Sequence, residues 1–267
     1  MKNNIIAFVS IKGGVGKTTI ALETAASLVN DFGKRVLLVD ANFSAPNIGL
    51  YLDLTNEKTL HDALSGLKLH NVIYESYGID VVPASMYYNN PIDIFQLKKT
   101  ISKFKPRYDF IIIDSSPNYE ELKPVIEAAD KIFLITSPDN VTLTTTLKAA
   151  KIAKEQKTPI EGIIVNRIRS PRHEFNLSEI ENLSKIPVIG KIKDHKKMAQ
   201  ALKEKKPITL LDFSNPISKE IRNICSAIGG EQEKENFFTK IIPKNFIKKE
   251  KVNREFLRNR FYESQFL

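Results

Sequence analysis

The sequence predicts an α/β fold, a doubly wound and mostly parallel sheet with helices on both faces. Short β-branched runs alternate with helical patterns from the first residues to about position 229. Most of the runs are continuously apolar rather than alternating, which is the pattern of strands covered on both faces. With 267 residues, of which 42% are hydrophobic and 27% charged, the chain can bury an ample core without disulfides or metals.

The elements are expected in this order. The apolar run Ile5 to Ile11 is the first strand, and a helix from Thr18 to Asn30 follows a glycine-rich turn. Strands at Arg35 to Asp40 and Ile79 to Pro83 come next, then a helix over Pro91 to Phe104 and the run Tyr108 to Asp114. A strand at Lys131 to Thr136, a helix over Asn140 to Gln156 and a strand at Ile160 to Asn166 continue the alternation. Asn176 followed by Glu179 has the spacing of a capping box and starts a helix over Leu177 to Lys185. The strand Val188 to Lys191 and a lysine-rich helix, Lys196 to Lys205, come after it. Gly229-Gly230 closes the pattern, so residues 1–229 are read as one domain and 230–267 as a basic tail containing aromatic residues.

Composition excludes several classes. One cysteine, Cys225, can form neither an internal disulfide nor a thiolate cage within one chain. His61, His70, His173 and His195 show no metal-ligand spacing and are read as exposed or hydrogen-bonded residues. The longest apolar runs fall far short of the roughly 20 residues of a spanning helix, which points to a cytoplasmic location. The net charge of +9 is uneven: residues 191–206 carry +5 and residues 238–262 carry +6, leaving the remainder at −2. Such localised charge suits an anionic surface, whether membrane or nucleic acid, or simply solvent.

The chemistry concentrates in the first turn, Ser10-Ile11-Lys12-Gly13-Gly14-Val15-Gly16-Lys17-Thr18-Thr19. Gly13, Gly14 and Gly16 let backbone N–H groups turn inward around an anion, and the following helix contributes its positive end. Lys17 can bridge β- and γ-phosphates, and the Thr18 hydroxyl is placed to ligate Mg²⁺. The ordinary GxxxxGK[ST] pattern is not met, because its first glycine would fall on Ile11, and a second lysine, Lys12, stands in the loop.

This loop resembles the deviant Walker motif, KGGxGKT, of the MinD/ParA family of dimeric ATPases. The resemblance covers residues 4 to 229 and implies a P-loop fold, ATP and Mg²⁺ as cofactors, and an ATP-dependent homodimer in which Lys12 reaches the partner's nucleotide. Gly13, Gly14, Val15, Gly16, Lys17, Thr18 and Thr19 would then hold the phosphates. Val39 to Leu50 resembles switch I, and Ile112 to Pro117 resembles Walker B running into switch II, so Asp40 and Asp114 join Thr18 as expected metal-site residues. Thr136 to Asp139 and Val165-Asn166-Arg167 resemble later family segments, where the asparagine reads the adenine edge. The family usually carries two acidic residues in switch I, whereas this chain has Asp40 and then Asn42 at the place associated with the attacking water. Lys12, Lys17, Asp40 and Asn42 are therefore the expected catalytic residues, with slow hydrolysis because Asn42 cannot take up a proton.

The resemblance implies spatial organisation at a surface, MinD-like, together with a regulatory or cargo protein. A ParA-like DNA-segregation ATPase with non-specific DNA as its surface and a non-catalytic ATP-binding scaffold remain the alternatives. So does a relative that phosphorylates a small metabolite. The tail interleaves charge with Phe246, Ile247, Val252, Phe256, Leu257 and Phe261, and is read as membrane-targeting, peripheral at the inner membrane face, with partner docking and disorder as alternatives. Arg167, Arg169 and Arg172 are read as a solvated loop.

Overall fold

The computed structural model describes residues 4–229 apart from 56, 89, 170 and 171; the expected tail, 230–267, lies outside the described residues. The first half of the described chain runs β1 (Ile5–Val9), α1 (Lys17–Asn30), β2 (Val36–Ala41), α2 (Ile48–Tyr51), α3 (Leu60–Leu64), β3 (Tyr74–Ser76), β4 (Ile79–Val82), α4 (Leu97–Ser102) and β5 (Phe110–Ser115). The second half runs α5 (Tyr119–Ala128), β6 (Lys131–Thr136), α6 (Asn140–Glu155), β7 (Ile160–Ile168), α7 (Leu177–Ser184), β8 (Val188–Lys193), α8 (Lys196–Lys203), α9 (Ile208–Leu211) and α10 (Pro216–Gly229). The strands form one eight-stranded sheet in the order β3-β4-β2-β5-β1-β6-β7-β8, parallel throughout except for the β3–β4 pair.

The period of two along each strand divides the core into two layers. In β1, Ile5, Ala7 and Val9 face the layer of α3, α4, α5 and α6, whereas Ile6 and Phe8 face α1 and α10. β5 repeats this with Ile111 and Ile113 against Ile112, and β6 with Ile132 and Leu134 against Phe133 and Ile135. Phe8 and Phe133 stack at 5.7 Å between ring centroids, locking β1 to β6 on the α1 side. Because β1 lies between β5 and β6, its carboxyl end opens at the centre of the sheet, where doubly wound sheets bind ligands.

Several expected elements differ. The helix expected over Pro91 to Phe104 is a 3₁₀ turn at Ile94–Gln96 and then the short α4. The Asp93 carboxylate accepts from Phe95 N–H and starts the turn there, and the buried residues of this segment are Leu97 and Ile101, an i,i+4 pair, and Phe104 beyond α4. β1 stops at Val9, because Ser10 already belongs to the loop, and β7 runs two residues past Asn166 over an irregularity in its pairing with β8. The edge strand β3 was not expected at all; it turns into β4 through Tyr77 and Gly78, both at positive φ (52° and 79°), the backbone of a tight hairpin.

The capping box at Asn176 and Glu179 is present in both directions. Of the lysine-rich segment, Lys197 is paired with Asp212 and Lys205 with Asp53, so part of its charge is neutralised within the fold. Cys225 is fully buried on α10, and burial pushes its thiol up to about 12, which leaves it unreactive at neutral pH. Among the described residues no helix is long and apolar enough to cross a membrane.

Candidate functional site

The loop between β1 and α1 is shaped by its glycines. Gly14 and Gly16 have φ of 78° and 94°, a region only glycine enters freely. A Cβ on Gly16 would also lie 2.3 Å from Asn166 Nδ2. That amide, at the end of β7, donates to the Val15 carbonyl at 2.7 Å and pins the loop from a strand remote in sequence. Sequence reasoning assigned Asn166 to the adenine edge; the structure gives its amide nitrogen a different partner, the loop backbone.

Lys17 opens α1. Its side chain is buried, and Nζ donates to the Lys12 carbonyl at 3.3 Å, so the ammonium spans the loop. Burial lowers its pKa while the charge of Asp114 raises it back. Lys12 itself is exposed. Thr18, the next residue of α1, donates its hydroxyl to Asp114 Oδ2 at 2.6 Å.

Asp114, the last residue but one of β5, has no exposed surface, and its Oδ1 is buried without a partner. The parallel register of β2 and β5 sets Asp40 opposite Asp114, so two carboxylates share one buried place. Burial and then the charge of Asp40 raise the Asp114 pKa, opposed by Thr18 and Lys17. Asp40 is raised by burial as well, opposed by backbone hydrogen bonds.

Those bonds come from the segment that follows β2. Asp40 Oδ1 accepts from Asn42 N–H at 3.1 Å, and its Oδ2 accepts from Asn47 and Ile48 N–H, both at 3.0 Å. Three of the roughly four acceptor positions of a carboxylate are thereby filled by the switch I backbone. The reason is local: residues 42–47 form no regular structure, and the first N–H groups of α2 have no partner inside the helix. Asn42 is 6% exposed; its Nδ2 donates to the Ala45 carbonyl at 2.6 Å, and its Oδ1 is buried without a partner. Ser44 N–H donates to Glu121 Oε2 at 3.3 Å, and the Ser44 and Ser116 hydroxyls lie 3.5 Å apart, which ties switch I to switch II.

Beside the loop lies a cleft of about 570 Å³ lined by Gly16, Thr19, Asn166, Arg169, Asp194 and Met198 among others, within the range of small-molecule sites. Arg167 and Arg169, exposed as the solvated reading expects, also line one wall, with Arg169 Nε held to Asp194 at 2.6 Å. Sequence reasoning missed this wall. The available signal was position alone, since Arg169 and Asp194 follow the carboxyl ends of neighbouring strands, β7 and β8. Asp139, in a segment likened to a later family motif, accepts from Thr142 N–H and caps α6.

The donor set fits a divalent cation. An orphaned buried carboxylate oxygen is costly, and Asp114 Oδ1 beside the Thr18 hydroxyl offers the hard oxygen ligands that Mg²⁺ prefers.

A central strand running into left-handed glycines, and then a helix opening on a buried lysine and a threonine, defines a P-loop nucleotide-binding protein. The CobQ/CobB/MinD/ParA nucleotide binding domain matches residues 6–208. Over 254 residues the chain is 29% identical to an ATP-binding protein of Methanocaldococcus jannaschii, covering 89% of this chain and 94% of that one. The cell division ATPase MinD of Pyrococcus furiosus superposes with a TM-score of 0.81 at 26% identity, over 86% of this chain and 99% of that one. MinD from Pyrococcus horikoshii, complexed with Mg-ADP, gives 0.80 at 26% identity, over 84% and 95%. The chain belongs to the MinD/ParA family of ATPases.

Proposed function

We propose that this protein binds and hydrolyses ATP, dimerises in the ATP-bound form, and positions a cellular structure or recruits a partner at a membrane surface. The observation that carries this reading is the division of labour between two lysines of one loop: Lys17 is buried across it, and Lys12 is exposed. A buried ammonium serves its own nucleotide. An exposed one on the rim can neutralise phosphates held by a second copy, which would otherwise repel across an interface.

Gly13, Gly14, Val15, Gly16, Lys17, Thr18 and Thr19 would cradle the phosphates, and Asn166, with its amide nitrogen on Val15, would meet adenine through its carbonyl oxygen. Thr18 and Asp114 would hold Mg²⁺, with the charge of Asp40 close behind. The cation neutralises charge on the phosphate oxygens when bound. Asn42 Oδ1, an acceptor without a partner, would orient the attacking water but take no proton from it. Turnover is therefore slow, and Asn42→Asp is expected to raise steady-state phosphate release by up to about 10²-fold. An unchanged rate in that variant would remove Asn42 as the brake.

The test of the whole reading is oligomeric state. Size-exclusion with light scattering should give a dimer with ATP and Mg²⁺, a monomer with ADP, and a monomer with ATP in Lys12→Ala. A natural protein that stays monomeric with ATP, or a Lys12→Ala variant that dimerises normally, counts against it. The same ATP-loaded sample should sediment with anionic liposomes through the basic tail, two tails per dimer acting together by effective concentration. Retention on duplex DNA in place of liposomes would instead indicate a DNA-segregation role.

A further inference from the structure

Switch I leans on a buried histidine that the proposed chemistry does not use. His61, on α3, is 4% exposed. Its Nδ1 accepts from Ser85 N–H at 3.1 Å, in the segment that follows β4. An Nδ1 that accepts leaves the ring proton on Nε2, so this contact belongs to the neutral imidazole. The ring is flanked by Tyr88 at 4.8 Å between centroids, and the Tyr88 hydroxyl is 2.7 Å from that of Ser65. From the other side Phe43, the residue between Asn42 and Ser44, meets the imidazole edge to face at 5.6 Å and 89°.

We infer that His61 is a positioning residue for switch I: its neutral imidazole, keyed to Ser85 N–H, is the seat on which Phe43 holds residues 42–47 over Asp40. Glu121 pins the same loop from α5 through Ser44 N–H. Loss of the seat frees the Phe43 end of the loop and leaves the Glu121 end attached. The catalytic consequence rests on the hydrolysis reading above; the contact itself does not.

Protonation is the natural way to unseat the loop, because Nδ1–H would face Ser85 N–H donor to donor. The charged groups acting on the ring are Asp62, from its own helix, and Glu121, from α5. Asp62 is also engaged with Thr59, whose N–H and hydroxyl it accepts at 2.8 and 3.0 Å. α4 and β2 contribute apolar Leu97, Ile101, Val39 and Ala41 to the surrounding core. Burial lowers the His61 pKa from 6.5 against the pull of both carboxylates. A base lowered on folding stabilises the fold fully above its unfolded value and loses that contribution as pH falls below 6.5 through the lowered value.

The test is hydrogen exchange of the 42–48 segment in the nucleotide-free protein, corrected for intrinsic rates, with ATP affinity measured separately by calorimetry. His61→Ala should exchange at least about tenfold faster there than the natural protein, the change expected when a local opening loses about 1.4 kcal/mol of closure. Phe43→Ala removes the same contact without touching α3 and should behave alike, which keeps the test valid if His61→Ala folds poorly. The natural protein should lose protection as pH falls below 6.5, and not above it. His61→Asn keeps an acceptor near the Nδ1 place, does not titrate, and should show no such pH step. Unchanged exchange in both alanine variants, or an equal pH step in the natural protein and His61→Asn, overturns the assignment. A natural protein that fails to bind ATP would defeat the functional reading and leave the exchange result standing.

Discussion

Lys17→Ala is expected to lower ATP affinity by roughly 10²- to 10³-fold, the effect of truncating one partner of a buried charged contact. The ammonium is buried across the loop and bonded to Lys12 O at 3.3 Å, so no neighbour can substitute for it, and Lys12 is exposed. Stability of the nucleotide-free protein should change little in the same variant, because the removed charge is held against burial mainly by the field of Asp114. Calorimetry with ATP and Mg²⁺ measures the first quantity and chemical denaturation the second. An affinity equal to that of the natural protein would refute the site assignment.

Asp114→Asn is expected to act in opposite directions on stability and on metal binding. Asp40 and Asp114 stand opposite one another in the β2–β5 register, both fully buried, and both are raised above the ordinary 3.8. A carboxylate whose pKa rises on folding binds more protons folded than unfolded, so the pair destabilises the fold progressively as pH climbs above 3.8. Removing one charge should therefore stabilise the nucleotide-free protein by about 1.4 kcal/mol or more at pH 8, the worth of a tenfold change in proton binding, and by less at pH 5. Thr18 can still donate to the amide oxygen. The tightening of nucleotide binding by Mg²⁺ should disappear, since an amide offers no negative ligand. Denaturation at the two pH values and nucleotide titration with and without Mg²⁺ decide it; a destabilised variant that keeps its Mg²⁺ response contradicts the assignment.

Such a trade of stability for a metal site is legible in the sequence only in part. An aspartate closing the apolar run Phe110-Ile111-Ile112-Ile113 is visible as an anomaly, because a charge at the end of a buried strand needs a cation or donors. That it shares its place with Asp40 is a matter of sheet register between strands far apart in sequence. The same holds at the loop rim. Glycines and lysines announce an anion site from their order alone, whereas the Asn166 amide reaching Val15 depends on β7 lying two strands from β1.

The sequence by itself determined the parallel sheet, its central loop and the order of the motifs, because all three rest on local rules. Apolar runs must be covered, glycines must turn where side chains would strain, and a lysine and threonine that open a helix must face its end. Only the tertiary structure decided which polar groups would be buried and what would satisfy them. Glu23 sits within a helix whose pattern gives no sign of a buried carboxylate, yet it accepts from Ile208 N–H, Thr209 N–H and the Thr209 hydroxyl and anchors the start of α9. Burial outweighs those three bonds and raises it to about 7. His61 is hydrogen-bonded and buried against Phe43, and Asp40, expected at the metal site, also accepts from the backbone of residues 42–48. For Glu23 and His61 the partner comes from a segment brought near by packing, whereas Asp40 takes the N–H groups of the loop that follows it; a buried polar group takes whatever donor or acceptor the fold delivers to it.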